Sequence, residues 1–384
     1  MIDLDSVAYK EDKDVKSMVS MDKTPRCLIL FENACKSKRT FQTYLYLLKK
    51  YLDYCHKDHE SLLILPTKEL EDSLQDYCIF LRTRVASKEI SPNSIPSYFN
   101  PIWRFLKVNR VKVDKESVIQ LYPDKIKLGG HDAITTEQLV KLLNACDTLR
   151  DRAIVHLFSA TGARPEAVCE LQLKHISDYD YGFKKVILYS DDYKHEMTTF
   201  LHSESVKALK EYFAERELHG EKLTSESFVF AVNGYWKSES KPMSFNVLEN
   251  MFDRLWKRSG IKRVKVGNRY NLASTTSIRK RFDTILEMNS SISSGVIQYL
   301  MDHTGYLSGA HYRRPTDEQI FKAYHSASIE LMISNELRME LELKQKDDEL
   351  LKNDSVKDEK IKQLESRAER TEKLLMQLMK KLDN

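Results

Sequence analysis

Apolar residues at steps of three and four dominate the first part of the chain. Phe41, Tyr44, Leu45, Leu48, Tyr51, Leu52 and Cys55 share one helical face, and Leu70, Leu74, Tyr77, Cys78 and Leu81 repeat the pattern. A side-chain period near 3.6 cannot keep one face of a strand buried, so this region is confined to packed helices. Ser91-Pro92-Asn93 interrupts the run, and a third helix is expected with Ile95, Tyr98, Phe99, Ile102 and Phe105 inward. Pro101 lies inside that span and is expected to kink or split it. Residues 26–128 are therefore read as one small helical domain, basic in character. Residues 1–25 are polar, have no clear period, and are read as a mobile arm.

Gly129-Gly130-His131-Asp132 is the best linker. Beyond it, Thr135 and Gln138 have the spacing of a capping box. A second helix carrying Ile154, Val155, Leu157 and Phe158 should stop at Thr161-Gly162, and Pro165 suits the first turn of a third. Lys184–Ser190 and Thr198–Leu201 read as two strands with a turn at Asp191–His195. Ser203 or Ser205 should cap the next helix, and another runs from near Ser244 to Gly260. Residues 275–325 hold further short helices. The second domain, 131–325, is thus mostly helical with one small sheet. Residues 326–384 form a C-terminal helical tail. Within it Ile361, Leu364, Ala368, Thr371, Leu375, Leu378 and Leu382 keep heptad spacing, which predicts a coiled coil over about 357–384. The expected fold class is mainly α with a small β-sheet: a helical domain, a mixed α/β domain and a C-terminal coiled coil.

Composition narrows the function. No run approaches the ~20 apolar residues of a membrane helix, and Asp3, Asp5, Glu11 and Asp12 do not fit a secretory signal. The six cysteines include no CxxC pair, which suits reduced thiols and a cytoplasmic protein. Cys55, His56 and His59 cluster, but no second Cys or His pair stands near enough to complete a zinc site. With 61 basic and 57 acidic residues the chain is nearly balanced. The balance hides a local asymmetry. Arg254, Lys257, Arg258, Lys262, Arg263, Lys265, Arg269, Arg279, Lys280 and Arg281 fall in one stretch, 254–281, that contains no acidic residue. A one-sign stretch of this kind suits phosphate binding, although it also suits a solvated face.

Four residues within the second domain stand in a suggestive order. Thr161-Gly162-Ala163-Arg164 is followed by Arg279, then His303, then Tyr312 nine residues on. In this order and spacing the chain resembles the tyrosine recombinase (phage integrase-like) family over roughly 30–325. That family carries TGxR at its first arginine, HxxR at its second, a Gly-His pair, and a nucleophilic tyrosine nine residues after that histidine. Three places differ. The HxxR histidine is Thr276, the Gly-His glycine is Asp302, and the carboxylate usual three residues after the first arginine is Ala167, with Glu166 one step early. The Thr-Gly-Ala-Arg-Pro form is more similar to archaeal than to bacterial members.

The resemblance implies a SAM-like helical core-binding domain ahead of the catalytic domain. It also implies duplex DNA with an attachment site as substrate, a tetramer on DNA, and a Holliday-junction intermediate. Arg164 and Arg279 would hold the scissile phosphate, His303 would hydrogen-bond it or take the tyrosine proton, and Tyr312 would attack. Lys194, in the hairpin turn, would protonate the leaving 5′ oxygen, with Lys184 and Lys185 less suited. The residue types fit the task. Guanidiniums are planar, charged and bidentate, and a phosphodiester gains negative charge in the transition state. No cofactor and no metal is expected, because the arginines neutralise that charge. Lys262, Arg263, Lys265, Lys280 and Arg281 are candidate DNA-backbone contacts. Rival readings are a type IB topoisomerase-like relaxing enzyme, a non-catalytic DNA-binding scaffold and a coiled-coil DNA-bridging protein.

Overall fold

The computed structural model describes residues 24–126, 130–190, 196–232, 241–266, 269–303, 315–340, 343, 360–364, 366–368 and 370–371. They fall into two compact units. One runs up to Gly130 and takes in Lys265–Arg269; the other comprises His131–Val264 and the chain from Tyr270 onward.

The first unit is built from helices α1 (Arg26–Asn33), α2 (Lys38–Cys55), α3 (His59–Leu63), α4 (Thr67–Ala86), α5 (Ile95–Val108) and α6 (Lys115–Ile119). Ser37 caps α2 by accepting from the Thr40 N–H. That helix ends on His56, whose φ of 54° is left-handed, so this histidine terminates a helix. The inward face of α4 is Leu70, Leu74, Tyr77, Cys78 and Leu81, all buried. Pro101 does not split α5, which continues from Ile95 to Val108. Proline removes one backbone donor, the one that would reach Ser97. Pro101 is buried in the same core as Phe99, Ile102 and Phe105, and that packing outweighs the single lost bond.

The second unit is organised around helix α8 (Leu149–Thr161), in which every residue from Ala153 to Thr161 is buried. A helix buried on all sides belongs at the centre of a domain. Around it lie α7 (Thr136–Asn144), α9 (Pro165–Cys169), α10 (Ser203–Leu218), α11 (Phe245–Arg258), α12 (Ser274–Met288), α13 (Ser294–Leu300) and α14 (Asp317–Leu331). Thr135 and Gln138 make the reciprocal capping box of α7, and Ser244 caps α11. The larger of two sheets has three antiparallel strands in the order β1 (Ile176–Asp178), β2 (Lys184–Leu188), β3 (Met197–Leu201). The first of these was not expected. The residue preceding α10 is His202, and neither serine caps it. Ser205 is instead buried, donating to the His156 carbonyl.

Near the C-terminal end, residues 360–364, 366–368 and 370–371 are helical. Ile361 and Leu364 are exposed there. Leu375, Leu378 and Leu382 of the expected heptads lie outside the described residues.

Burial of two histidines in this unit has a consequence for pH. His156 on α8 and His202 before α10 are both interior, with Glu204 close to His156. Burial, reinforced by the charge of Arg152, pushes His156 down to about 4. Burial, reinforced by His156 and Arg281, pushes His202 down to about 3. Below the ordinary histidine value of 6.5 the unfolded chain binds protons that the folded chain refuses. Stability is therefore intact above that value and is lost as pH falls toward 4. Glu204, raised by burial, works in the opposite direction and offsets part of the loss. A net loss of stability is expected between roughly pH 7 and 4.5. Thermal melts across that range check it, and His202→Asn should flatten the slope.

Candidate active site

The first arginine is delivered by a tight turn. Helix α8 stops at Gly162, whose φ of 56° is left-handed and whose N–H bonds the Phe158 carbonyl. A Cβ there would lie 2.5 Å from Cδ1 of the buried Phe282 ring, so the position requires glycine for space as well as for conformation. Thr161 turns its hydroxyl inward, donating to the Leu157 carbonyl and accepting from the Ala163 N–H. Arg164 then occupies the extended position ahead of α9, and Pro165 opens that helix. Gly162→Ala combines left-handed strain of about 1 kcal/mol with overpacking of about 1–3 kcal/mol. A fall in unfolding free energy of about 2–4 kcal/mol is expected in denaturant titration.

Helix α12 supplies the second arginine. Nη1 of Arg279 donates to the Gly162 carbonyl at 2.6 Å, and Nη2 donates to the Met301 carbonyl. Met301 sits just past α13, where the chain makes a Schellman turn. The Asp302 N–H bonds the Tyr299 carbonyl and the His303 N–H bonds the Gln298 carbonyl. Asp302 takes the left-handed position, with φ of 45°. This turn favours glycine at that place and tolerates aspartate. The Asp302 carboxylate pairs with Nη1 of Arg164, and the Asp302 carbonyl accepts from Nη2 at 3.2 Å. The two arginines thus grip adjacent residues of one turn, Met301 and Asp302, and His303 follows directly.

His303 is exposed, and its Nδ1 lies 2.9 Å from Oε1 of Gln298. An amide oxygen accepts, so Nδ1 carries the hydrogen. Burial first, and the neighbouring charge of Arg164 second, lower Arg279 to about 10. It remains charged at neutral pH, but two guanidiniums held this close repel, and a bound anion relieves them both. Tyr189, at the end of β2, is also present: its phenol is hydrogen-bonded to Arg164, and burial raises it above the ordinary tyrosine value. The sequence marks Tyr189 only as part of a β-run. Its left-handed φ of 56° is signalled by no local pattern.

The remaining expected residues are distributed as follows. Lys194 and Tyr312 lie outside the described residues. Thr276 is exposed on the first turn of α12, one turn before Arg279. Lys184 pairs with Asp178 at 2.7 Å, and Lys185 pairs with Asp317. Lys262 and Lys265 are exposed. Lys280 is exposed and donates to the His131 carbonyl. Arg263 donates from Nε to the Leu272 carbonyl and lies over the rings of Trp256 and Tyr270. Arg281, expected on DNA, is instead interior. It is 5% exposed, and its guanidinium donates to the carbonyls of Glu330 and Leu331 at the end of α14. The phase of α12 accounts for this, because Ile278 and Phe282 bury the face on which position 281 falls. That apolar phase was the signal that could have distinguished it from Lys280. Among the described residues no group of three or more His, Cys, Asp or Glu side chains is placed to hold a metal ion. None of the described helices is long and apolar enough to cross a membrane.

A turn-borne arginine, a helix-borne arginine and a histidine on one loop are the features by which known proteins can be compared. Residues 132–319 match the phage integrase family. This segment belongs to that family. The integrase fold recurs in solved structures. The Tn1549 transposon integrase in complex with transposon right end DNA has a TM-score of 0.53 at 14% identity, covering 79% of this chain and 99% of that one. The XerH site-specific recombinase bound to difH substrate has a TM-score of 0.50 at 17% identity, covering 77% and 84%. No curated protein matches the chain. In these integrase terms the segment 132–319 holds Arg164, Arg279, His303 and Tyr312, and the helical unit precedes it.

Proposed function

We propose that the protein is a site-specific DNA recombinase that cuts and rejoins duplex DNA through a 3′-phosphotyrosine. The observation that carries the reading is the convergence of Arg164 and Arg279, 115 positions apart in the chain, on the turn that leads into His303. Two adjacent guanidiniums bind one phosphate bidentately and stabilise the charge that grows on it during attack. Tyr312 attacks the phosphorus, and its bond to the 3′-phosphate replaces the bond to the 5′ oxygen. Lys194 gives that oxygen its proton, since an alkoxide leaves poorly. His303, with Nδ1 held by Gln298, offers Nε2 to the phosphate or to the tyrosine proton. The covalent link conserves the energy of the broken bond, so attack by a 5′ hydroxyl of a second strand rejoins DNA without ATP. The charge needed at the phosphate comes from the arginines, so no metal takes part.

Lys262, Lys265 and Lys280 are proposed to contact backbone phosphates, which sets affinity and makes it salt-dependent. A tetramer on two DNA sites is proposed, with the exposed Ile361 and Leu364 beginning a self-associating heptad seam over 357–384. The transposon integrase and the XerH recombinase that share the fold were both solved with DNA, in keeping with this substrate. One observation favours a non-catalytic DNA-binding scaffold: Thr276 puts a hydroxyl where the family has an imidazole.

Selection of bound duplexes from a randomised pool gives a recognition sequence, and a supercoiled plasmid carrying two copies of it tests the reading. Recombinant circles support strand exchange. Relaxation with no exchange moves the reading to a topoisomerase-like enzyme, and binding with neither product moves it to the scaffold.

A further inference from the structure

We propose that Asp302 is a positioning residue for the first arginine: its buried carboxylate fixes the guanidinium of Arg164 from behind while the outer edge receives the scissile phosphate. The proposal rests on the recombinase reading above. Its ground is an asymmetry within one ion pair. The Asp302 side chain is 6% exposed, whereas that of Arg164 is 38% exposed. A carboxylate occupying the phosphate's own place would sit on the open side of the arginine. The burial of this one fits the closed side instead.

The backbone makes the same point. Asp302 contributes twice to Arg164, through its carboxylate to Nη1 and through its carbonyl to Nη2. The neighbouring Met301 carbonyl accepts from Arg279. One Schellman turn therefore sets the spacing of both guanidiniums. A charged side chain hinged on several methylenes is expensive to immobilise, and two of like charge also repel. The negative charge of Asp302 offsets that repulsion before DNA arrives, so the pair is arranged in advance. Position 302 can do this because aspartate accepts a left-handed φ, which β-branched or bulky residues do not.

Asp302→Asn and Asp302→Gly both tolerate the left-handed backbone, so the turn survives in each. The test measures single-turnover cleavage of a nicked duplex at saturating concentration, together with the Kd for the same duplex, in the full-length protein. The two variants should cleave about 10–100-fold more slowly, the penalty of a misplaced catalytic group, with Kd changed by less than about threefold. Combined with Arg164→Ala, the loss from Asp302→Asn should largely disappear, because the aspartate acts through that arginine. Unchanged or faster cleavage in the variants, or a loss that persists undiminished without Arg164, overturns the proposal while leaving the recombinase reading in place. Wild-type protein that binds the duplex and forms no adduct overturns the recombinase reading itself, and the role of Asp302 with it.

Discussion

Arg279→Ala is expected to lower the rate of covalent DNA cleavage by about 10²–10³-fold, the range seen when one preorganised donor to a developing negative charge is removed. Two effects combine. The variant loses a cation proposed to face the phosphate, and it also unties the Gly162 and Met301 carbonyls that Arg279 holds together. Arg279→Lys tests which effect dominates. Lysine restores the charge but cannot reach both carbonyls in the fixed fork of a guanidinium, so it should recover only a small part of the loss. DNA affinity should change far less than the rate in either variant, because affinity is spread over many backbone contacts. Single-turnover kinetics on a nicked duplex, read beside a binding isotherm in the same buffer, separates the two quantities. Since Arg279 titrates at about 10, the wild-type rate should carry no inflection from it near neutral pH.

Tyr312→Phe should abolish adduct formation, with DNA binding retained. A phenol is the only group the spacing offers as nucleophile, and phenylalanine removes one oxygen and little else. Three other tyrosines are near enough in sequence or space to be weighed. Tyr324 is fully buried and donates to the Ala160 carbonyl, so it has no access to a phosphate. Tyr189 is bonded to Arg164, and its raised titration disfavours the phenolate that attack requires. Tyr306 is three residues after His303 rather than nine. Substituting any of the three with phenylalanine should leave the adduct in place.

The parts of the fold that were legible in the sequence are those fixed by neighbours along the chain. The apolar faces of α2 and α4, the Thr135–Gln138 box, the Gly162 stop and the Ser244 cap all follow from spacing within a few residues. Strand β1 was not legible: it is three residues long, and its partner Lys184–Val186 gives it its identity. Neither Ser203 nor Ser205 caps α10, and the bond from Ser205 to the His156 carbonyl spans 49 positions, beyond what local spacing signals. Pro101 obeyed the core rather than its own local preference. At the site, the order of Arg164, Arg279 and His303 was readable because residue types and gaps encode it. The pairing of Arg164 with Asp302 was not. It depends on a helix end 138 positions away, and in the sequence Asp302 registers only as a glycine that is missing.

The most direct measurement begins with wild-type protein, metal-free buffer and a nicked duplex drawn from a binding-selected pool. The covalent adduct is isolated under denaturing conditions, digested with protease and nuclease, and the tyrosine bearing the nucleotide is located by mass spectrometry. One modified residue is expected, Tyr312, joined to a 3′-phosphate. A nucleotide on Tyr189 or Tyr306, a 5′-phosphate linkage, or no adduct on DNA shown to be bound would contradict it.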